Sequence, residues 1–376
     1  RVLEKKNILF ISSWFPNKLE PTNGNFVQRH AEAVSQIHSV EVLHAINVTH
    51  QKEKFIFDDQ VINGIRTLIV YYRNAPNPLL NLWRRMLAYS RGFKKLQKPD
   101  LVHANVLHNN LLFAIYLKKK YKIPYIVTEH WTALRKINSE TTPSSIKKIA
   151  KFIGNHASMI LPVSHDLAAG LKYLGIKTPM KVIPNVVNTN LFVPKSEPNE
   201  RFTFIHVSNL IARKNSDKIL KTALRLLQKG YDLSLKIGGD GDISELEKIR
   251  EHSEFKDKIE IFGTQTIQEI AERMKSSDCF ILLSNDENQP CVIAESFGSG
   301  INVISTNVGG IAEFFPENAG ILLDSVDEDL LEKAMIEVMS PTFEKDPLTL
   351  VKYANETFSV AAIGQQFSEI YKEILK

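Results

Sequence analysis

A chain of 376 residues, 43% apolar and 24% charged, has the composition of a soluble globular protein, and its length suggests two domains. No low-complexity tract signals disorder, and the longest apolar runs, such as Leu111–Leu117, fall far short of the roughly 20 residues of a membrane span. Two cysteines, Cys279 and Cys291, make neither a disulfide framework nor a zinc site, and no apolar signal core follows Arg1–Lys6, so a reducing, cytoplasmic location is expected. The net charge of +5 hides an asymmetry: residues 1–190 hold 27 Lys+Arg against 11 Asp+Glu, leaving 20 against 31 for the remainder. A basic half suggests an anionic partner for that half, or only a bias of its surface.

In chain order, short apolar runs alternate with amphipathic stretches. The runs Ile8–Ser12, Val40–Ile46, Leu101–Ala104, Pro124–Val127, Met159–Val163 and Lys181–Pro184 predict strands buried on both faces. Between them, Phe26–Ile37, Leu107–Lys120 and Ser145–Asn155 predict helices, and Val61–Tyr72 with Asn63-Gly64 predicts an antiparallel hairpin. Past a joint near Phe192–Arg201, marked by Pro194 and Pro198, the rhythm resumes. Phe202–Val207, Leu233–Ile237, Ile259–Phe262, Cys279–Leu283, Asn302–Ser305 and Gly320–Leu323 read as strands, with helices at Lys214–Lys229 and Ile243–Glu251. Such alternation implies two doubly wound parallel sheets, whose ligands bind beyond the carboxyl ends of the strands. The cleft between two such domains is the expected site.

The sharpest chemical signal follows the strand Cys279–Leu283, in the run Ser284–Gly300. Glu287 precedes a helix that starts near Pro290, and Glu295 lies more than a turn inside it. A helix N-terminus presents unpaired N–H groups to phosphate, and two carboxylates on either side of it suit the hydroxyls of a nucleotide-diphosphate-sugar. Bare spacing alone describes two solvated carboxylates equally well.

In its setting this run resembles the retaining glycosyltransferases of family 4, which have the GT-B fold: two Rossmann-like, doubly wound domains facing across a cleft. Glu287 to Glu295 is followed by Gly300, Ile301–Ile304 and Val308-Gly309-Gly310-Ile311-Ala312-Glu313. Further matches run in the family's order: Asn23-Gly24-Asn25-Phe26, Thr128-Glu129-His130, Val163-Ser164, Val182–Asn188 with Phe192 and Pro194, Ile237–Gly241 and Ile261-Phe262-Gly263. The resemblance spans about residues 7–325. It implies an N-terminal acceptor-side domain over 1–195, a nucleotide-sugar domain over 196–359, and a C-terminal helix over 360–376 packing back on the first.

Residue by residue, the resemblance implies that Glu295 binds the donor ribose and Glu287 the transferred sugar. The backbone of Asn288, Gln289, Pro290 and Cys291 would hold the diphosphate, with Lys214 neutralising it. Gly24 would let backbone approach the donor, Gly263 belongs to the same donor-binding set, and His130 would sit beside the reacting sugar. His130, Glu287 and Lys214 are thus the catalytic candidates. The chain departs from the family pattern at Ser208-Asn209, where a phosphate-binding arginine is usual; Arg213, next to Lys214, is expected to compensate.

The chemistry implied is transfer, with retention, of a sugar from a UDP- or GDP-linked donor to a hydroxyl acceptor. The departing phosphate is stabilised by Lys214 and the helix N-terminus, with no cofactor and no metal. Asp240-Gly241-Asp242 reads as a turn rather than a metal site. The context implied is bacterial-type cell-surface polysaccharide or glycolipid assembly. The basic runs Trp83–Met86, Arg91–Lys98 and Lys118–Lys120 are expected either to meet anionic lipid at the inner face of the membrane, near a lipid-linked acceptor, or to be solvated helix faces. A nucleotide-sugar epimerase of the same architecture and a catalytically silent nucleotide-sugar-binding protein are the alternatives. Nucleic acid is not expected, since the second half is acidic.

Overall fold

The computed structural model describes residues 4–376; the start of the Arg1–Lys6 segment lies outside them. Contacts divide the chain into two units, one comprising residues up to Val186 together with Val360–Lys376, the other Val187–Ser359.

In the first unit the elements are β1 (Asn7–Ser12), α1 (Asn25–Ser35), β2 (Ser39–Val48), β3 (Phe55–Ile62), β4 (Ile65–Arg73) and α2 (Pro78–Phe93). They continue with β5 (Leu101–Asn105), α3 (Leu112–Tyr121), β6 (Tyr125–Glu129), α4 (Ser144–His156), β7 (Met159–Pro162) and α5 (His165–Leu174). The seven strands are ordered β3-β4-β2-β1-β5-β6-β7, all parallel except β3. That exception is the hairpin whose two-residue turn, Asn63-Gly64, takes the positive φ of 50° and 81° that matches strand twist. Both sheet faces are covered, so β1, β5 and β6 are buried almost throughout and mostly apolar, as parallel strands require.

Two expectations fail locally. Lys181–Pro184 is not a strand. It runs beside β7 through three backbone bonds (Ile160 N–H to Pro179 O, Lys181 N–H to Ile160 O, Ile183 N–H to Pro162 O), but Pro179 and Pro184 carry no N–H to continue a ladder. The helix expected from Leu107 begins only at Leu112, because Val106 adopts φ 68° and His108 is extended ahead of a single 3-10 turn at Asn109–Leu111.

The second unit comprises β8 (Phe202–Ser208), α6 (Ser216–Gln228), β9 (Leu233–Gly239), α7 (Ser244–Glu251), β10 (Ile259–Phe262), α8 (Ile267–Lys275) and β11 (Cys279–Leu282). It ends with α9 (Cys291–Gly298), β12 (Asn302–Thr306), β13 (Gly320–Leu323), α10 (Glu328–Met339) and α11 (Pro347–Phe358). Its six strands are all parallel, ordered β10-β9-β8-β11-β12-β13. The unit starts at Val187 rather than at the proline-rich joint because Val187 and Phe192 are buried in its core, and Val187 N–H bonds Phe358 O.

The last helix, α12 (Val360–Ile374), returns to the first unit and packs beside α1 through Ile363, Phe367, Ile370 and Tyr371. Fully burying a side chain such as Phe367 contributes about 1.5–3 kcal/mol. Gly364 permits the close pass: a methyl there would lie 2.7 Å from Ala33 O.

Candidate active site

In an open parallel sheet the loops diverge where the strand order reverses, and a crevice opens there. In the second unit this point lies between β8 and β11, so the β8–α6 and β11–α9 loops must meet. They hold Arg213-Lys214 and Glu287–Pro290, respectively.

The two loops are sewn together. Asn285 N–H donates to Arg213 O at 2.9 Å, and Arg213 Nη1 donates to Asp286 O at 2.6 Å. The Asn215 amide, at φ 52°, donates to Leu283 O and to Asn285 Oδ1, both at 2.8 Å. Lys214 Nζ pairs with Glu287 Oε1, which also accepts the Ser284 hydroxyl at 2.8 Å. Thr306 donates to Ser284 O at 2.6 Å, and Gly310 N–H to Asn288 O at 2.9 Å. A methyl at Gly309 would lie 1.9 Å from Glu287 O, so the Gly309-Gly310 turn must press against this loop bare. Asn215, Ser284, Thr306 and Gly309 are not among the expected site residues, although Ser284 and Gly309 lie in the runs that carry the family resemblance; Asn215 offers only its turn-forming character.

Next, α9 begins at Cys291 behind Pro290, which makes no side-chain cap, and the positive end of the helix dipole points towards this loop. Glu295 is carried inside α9, largely buried like Asn288 and Gln289. Asn209 contributes through its carbonyl: a methyl at Gly241 would lie 2.2 Å from Asn209 O, and one at Gly239 (φ 142°) 1.7 Å from Ser208 O. Beneath them, His206 Nδ1–H donates to Ile281 O at 2.8 Å, leaving Nε2 to accept from the Ser208 hydroxyl at 2.9 Å. Ser208 Oγ in turn accepts Leu210 N–H at 3.1 Å, fixing a residue held at φ 58°. Burial, aided by the Lys214 charge and opposed by the Ile281 carbonyl, holds His206 down at about 4, so it is neutral. Gly263 follows the edge strand β10, two strands away from β8, and has open space around it.

Gly24 and His130 belong to the first unit, whose reversal point lies between β1 and β5. Gly24 caps α1 at φ 74°, and a methyl there would lie 2.4 Å from Trp14 O. His130 follows β6, its ring 4.1 Å from that of Phe26 and 5.4 Å from that of His30, with the Asn185 side chain hydrogen-bonded to it. Burial, with the His30 and His103 charges, pushes its pKa well below the usual histidine range against that bond, so the ring is neutral. Glu129 is buried and holds three loop N–H groups: Leu107 at 2.7 Å, Trp131 at 2.9 Å and His130 at 3.1 Å. Burial still lifts its carboxyl to about 7. His103 bridges Tyr371 OH (2.5 Å) and Thr128 Oγ1 (2.6 Å), tying α12 to the strand that leads into His130.

Among the described residues, no group of three His, Cys, Asp or Glu converges to hold a metal ion, and no helix is long and apolar enough to cross a membrane.

Comparison with known proteins assigns both units. Residues 24–191 match the Glycosyltransferase Family 4 model and residues 187–357 the Glycosyl transferases group 1 model. One subunit of the human phosphatidylinositol N-acetylglucosaminyltransferase is 33% identical over 200 residues, 52% of this chain but only 41% of the human protein. A putative teichuronic acid biosynthesis glycosyltransferase, TuaC of Bacillus subtilis, is 22% identical over 356 residues, 87% of this chain and 88% of TuaC. Among solved structures, HepE of Anabaena in complex with UDP-glucose superposes with a TM-score of 0.71 at 18% identity, covering 98% of this chain and 100% of HepE, a likeness of fold. Two consecutive family models and the two Rossmann-like sheets agree: the chain is a GT-B glycosyltransferase and belongs to family 4, group 1.

Proposed function

We propose that the protein transfers a sugar, with retention of configuration, from a UDP- or GDP-linked donor to a hydroxyl acceptor, using charge stabilisation by its own residues rather than a bound metal. The observation that carries this reading is the convergence of Arg213, Lys214, Glu287 and the N-terminus of α9 at the β8/β11 reversal point. Breaking a sugar–diphosphate bond builds negative charge on the leaving phosphate and positive charge on the ring. Lys214 and the α9 N-terminus meet the first, with Asn288, Gln289, Pro290 and Cys291 presenting backbone to the phosphates. Glu295 holds the ribose and Glu287 the transferred sugar. Gly263 leaves room for the donor, Gly24 offers it backbone, and neutral His130 meets the sugar as a hydrogen-bonding group, not a cation. Arg213 acts through its grip on Asp286 as well as its charge, offsetting Asn209. The departing phosphate oxygen takes the acceptor's proton.

For the acceptor we propose a lipid-linked sugar at the cytoplasmic side of a membrane, in cell-surface polysaccharide or glycolipid assembly. The activities for which TuaC and the human relative are named, and the basic charge of the first unit, support that choice. The test is thermal stabilisation by a panel of nucleotides and nucleotide-sugars, with Glu295→Ala beside the natural chain. A ligand present at about 100 times its Kd should add about 2.7 kcal/mol. Stabilisation by one base class, lost in the variant, supports the donor site. No stabilisation by any of them would leave a silent relative of the family. Donor epimerised without transfer would replace the transferase reading.

A further inference from the structure

The helical layers on the two faces of the first unit's sheet differ in charge. Helices α2, α3 and α4 pack on one face of the seven-stranded sheet through Ala88, Tyr89, Phe113, Leu117, Ala150 and Ile153, beside α5, which packs there through Leu167 and Leu171 and carries one Asp and one Lys, Asp166 and Lys172. Within the bounds of α2, α3 and α4 lie nine Lys and Arg, three on each helix, and no Asp or Glu. The opposite layer, α1 and α12, is mixed: Arg29 lies near Glu32 in sequence, and Lys372 sits between Glu369 and Glu373. A general surface bias would charge both layers alike.

Helix α2 is also under-buried. Only Ala88, Tyr89 and Gly92 of its 16 residues are buried, yet its first turns are built from leucines, Trp83 and Met86. Leu79 is 80% exposed and Trp83, one turn on, 55% exposed, so the two share one outward face. Cations rim this face: Lys54 lies 5.2 Å over the Trp83 ring, and Arg91 lies 4.8 Å over Phe55 of the neighbouring hairpin. On α4, Phe152 is 47% exposed beside Lys151 and one turn from Lys148. Exposed Leu, Trp and Phe set among cations, with no acidic residue on the three helices, match a surface that is negatively charged outside and apolar just beneath. Long Lys and Arg side chains reach the charge while their stems cover apolar groups.

We propose that this helical layer docks on an anionic lipid bilayer, with Leu79 and Trp83 as shallow anchors and the cations of α2, α3 and α4 meeting the headgroups. Stable peripheral binding needs two such signals, and this face supplies both. The parallel register places the docked helix usefully. Helix α2 starts just past the carboxyl end of β4, on the same sheet edge at which β6 delivers Glu129 and His130. Docking therefore brings that edge to the lipid surface. Only this last step rests on the proposed transferase reading: it makes the acceptor a glycolipid whose sugar stands at the headgroup level.

The experiment is co-sedimentation of the full chain with phosphatidylcholine vesicles, with and without phosphatidylglycerol, at low and high salt. The variants are Leu79→Ser/Trp83→Ser and Lys148→Glu/Lys151→Glu. All four positions are remote in sequence from the proposed donor residues, so nucleotide-induced thermal stabilisation serves as the control for an intact second unit, and fluorescence of Trp14 and Trp131 for the first. The expected result is binding that requires phosphatidylglycerol, weakens in high salt, and falls about tenfold or more in each variant. Equal binding to neutral vesicles, or no binding, overturns the proposal while leaving the donor site to stand on the nucleotide assay. Loss in the lysine variant with none in Leu79→Ser/Trp83→Ser would assign the face to a soluble polyanion. A dimer in light scattering that dissociates on Trp83→Ser would assign it to a second copy.

Discussion

Replacing Lys214 by Met should destabilise the second unit far more than replacing both members of its ion pair. The side chains of Lys214 and Glu287 are only 12% and 8% exposed, so each charge depends on the other for what water no longer supplies. Removing the ammonium strands a buried carboxylate whose remaining bonded neighbour is the Ser284 hydroxyl. Breaking such a pair costs about 3–5 kcal/mol, and the hydroxyl places this case near 3 kcal/mol. In Lys214→Met/Glu287→Gln no charge is left stranded, so the double variant should recover about 2 kcal/mol of that loss. Urea unfolding must be followed by circular dichroism, because Trp14, Trp83 and Trp131 all lie in the first unit and fluorescence does not report on the second. The same pair makes a binding prediction. Glu287 neutralises the cation proposed to meet phosphate, so Glu287→Gln should tighten free nucleoside diphosphate binding about tenfold, or about 1.4 kcal/mol, while abolishing transfer. A Lys214→Met penalty below about 1 kcal/mol, a double variant equal to the sum of the singles, or unchanged nucleotide affinity in Glu287→Gln would refute this reasoning.

Acid should unfold the protein early. Burial holds His30, His44 and His206 at about 4, and pushes His103 and His130 well below the usual histidine range. All five lie below the unfolded value of about 6.5, so their contribution is present above pH 6.5 and is lost as pH falls towards 4, up to about 3 kcal/mol for each of His30, His44 and His206. Glu129, raised to about 7, acts in the opposite sense, favouring the fold below pH 7, and one carboxyl does not offset five histidines. Urea midpoints at pH 7 and pH 5 measure the balance, and an unchanged midpoint would contradict it. Tyr371→Phe leaves a buried His103 nitrogen without its 2.5 Å partner and should cost about 1–3 kcal/mol, read by tryptophan fluorescence in urea. Gly239→Ala, with its methyl 1.7 Å from Ser208 O, should cost about 3 kcal/mol or more in thermal melts. Gly263→Ala, with open space around it, should stay within about 0.5 kcal/mol in the same melts. If Gly263 does face the donor, that methyl will weaken nucleotide binding without touching stability.

What the sequence determines here is whatever depends on neighbours along the chain. Mostly apolar runs such as Leu101–Ala104 and Cys279–Leu282 suit strands buried on both faces of a parallel sheet, and Asn63-Gly64 supplies the positive φ of a tight hairpin. Glu287, Pro290 and Glu295 are likewise legible, because one strand–loop–helix unit carries all three. Failures begin where a partner is distant. Lys181–Pro184 has a strand's apolarity, but its prolines lack the N–H groups its place beside β7 would use. Leu107 reads as helix until Glu129, 22 residues on, takes its N–H and helps hold the turn open. Only the tertiary structure decides that Lys214 meets Glu287 and that Asn215 latches one loop to the other, 73 and 70 residues apart, because strand order, not spacing, brings the β8 and β11 loops together. Sequence likewise counts the cations of the first half but cannot sort them by layer. Folding gathers nine onto one face of the sheet and leaves Leu79 and Trp83 uncovered among them, since a helix's side of the sheet is set by the handed crossover that carries it there.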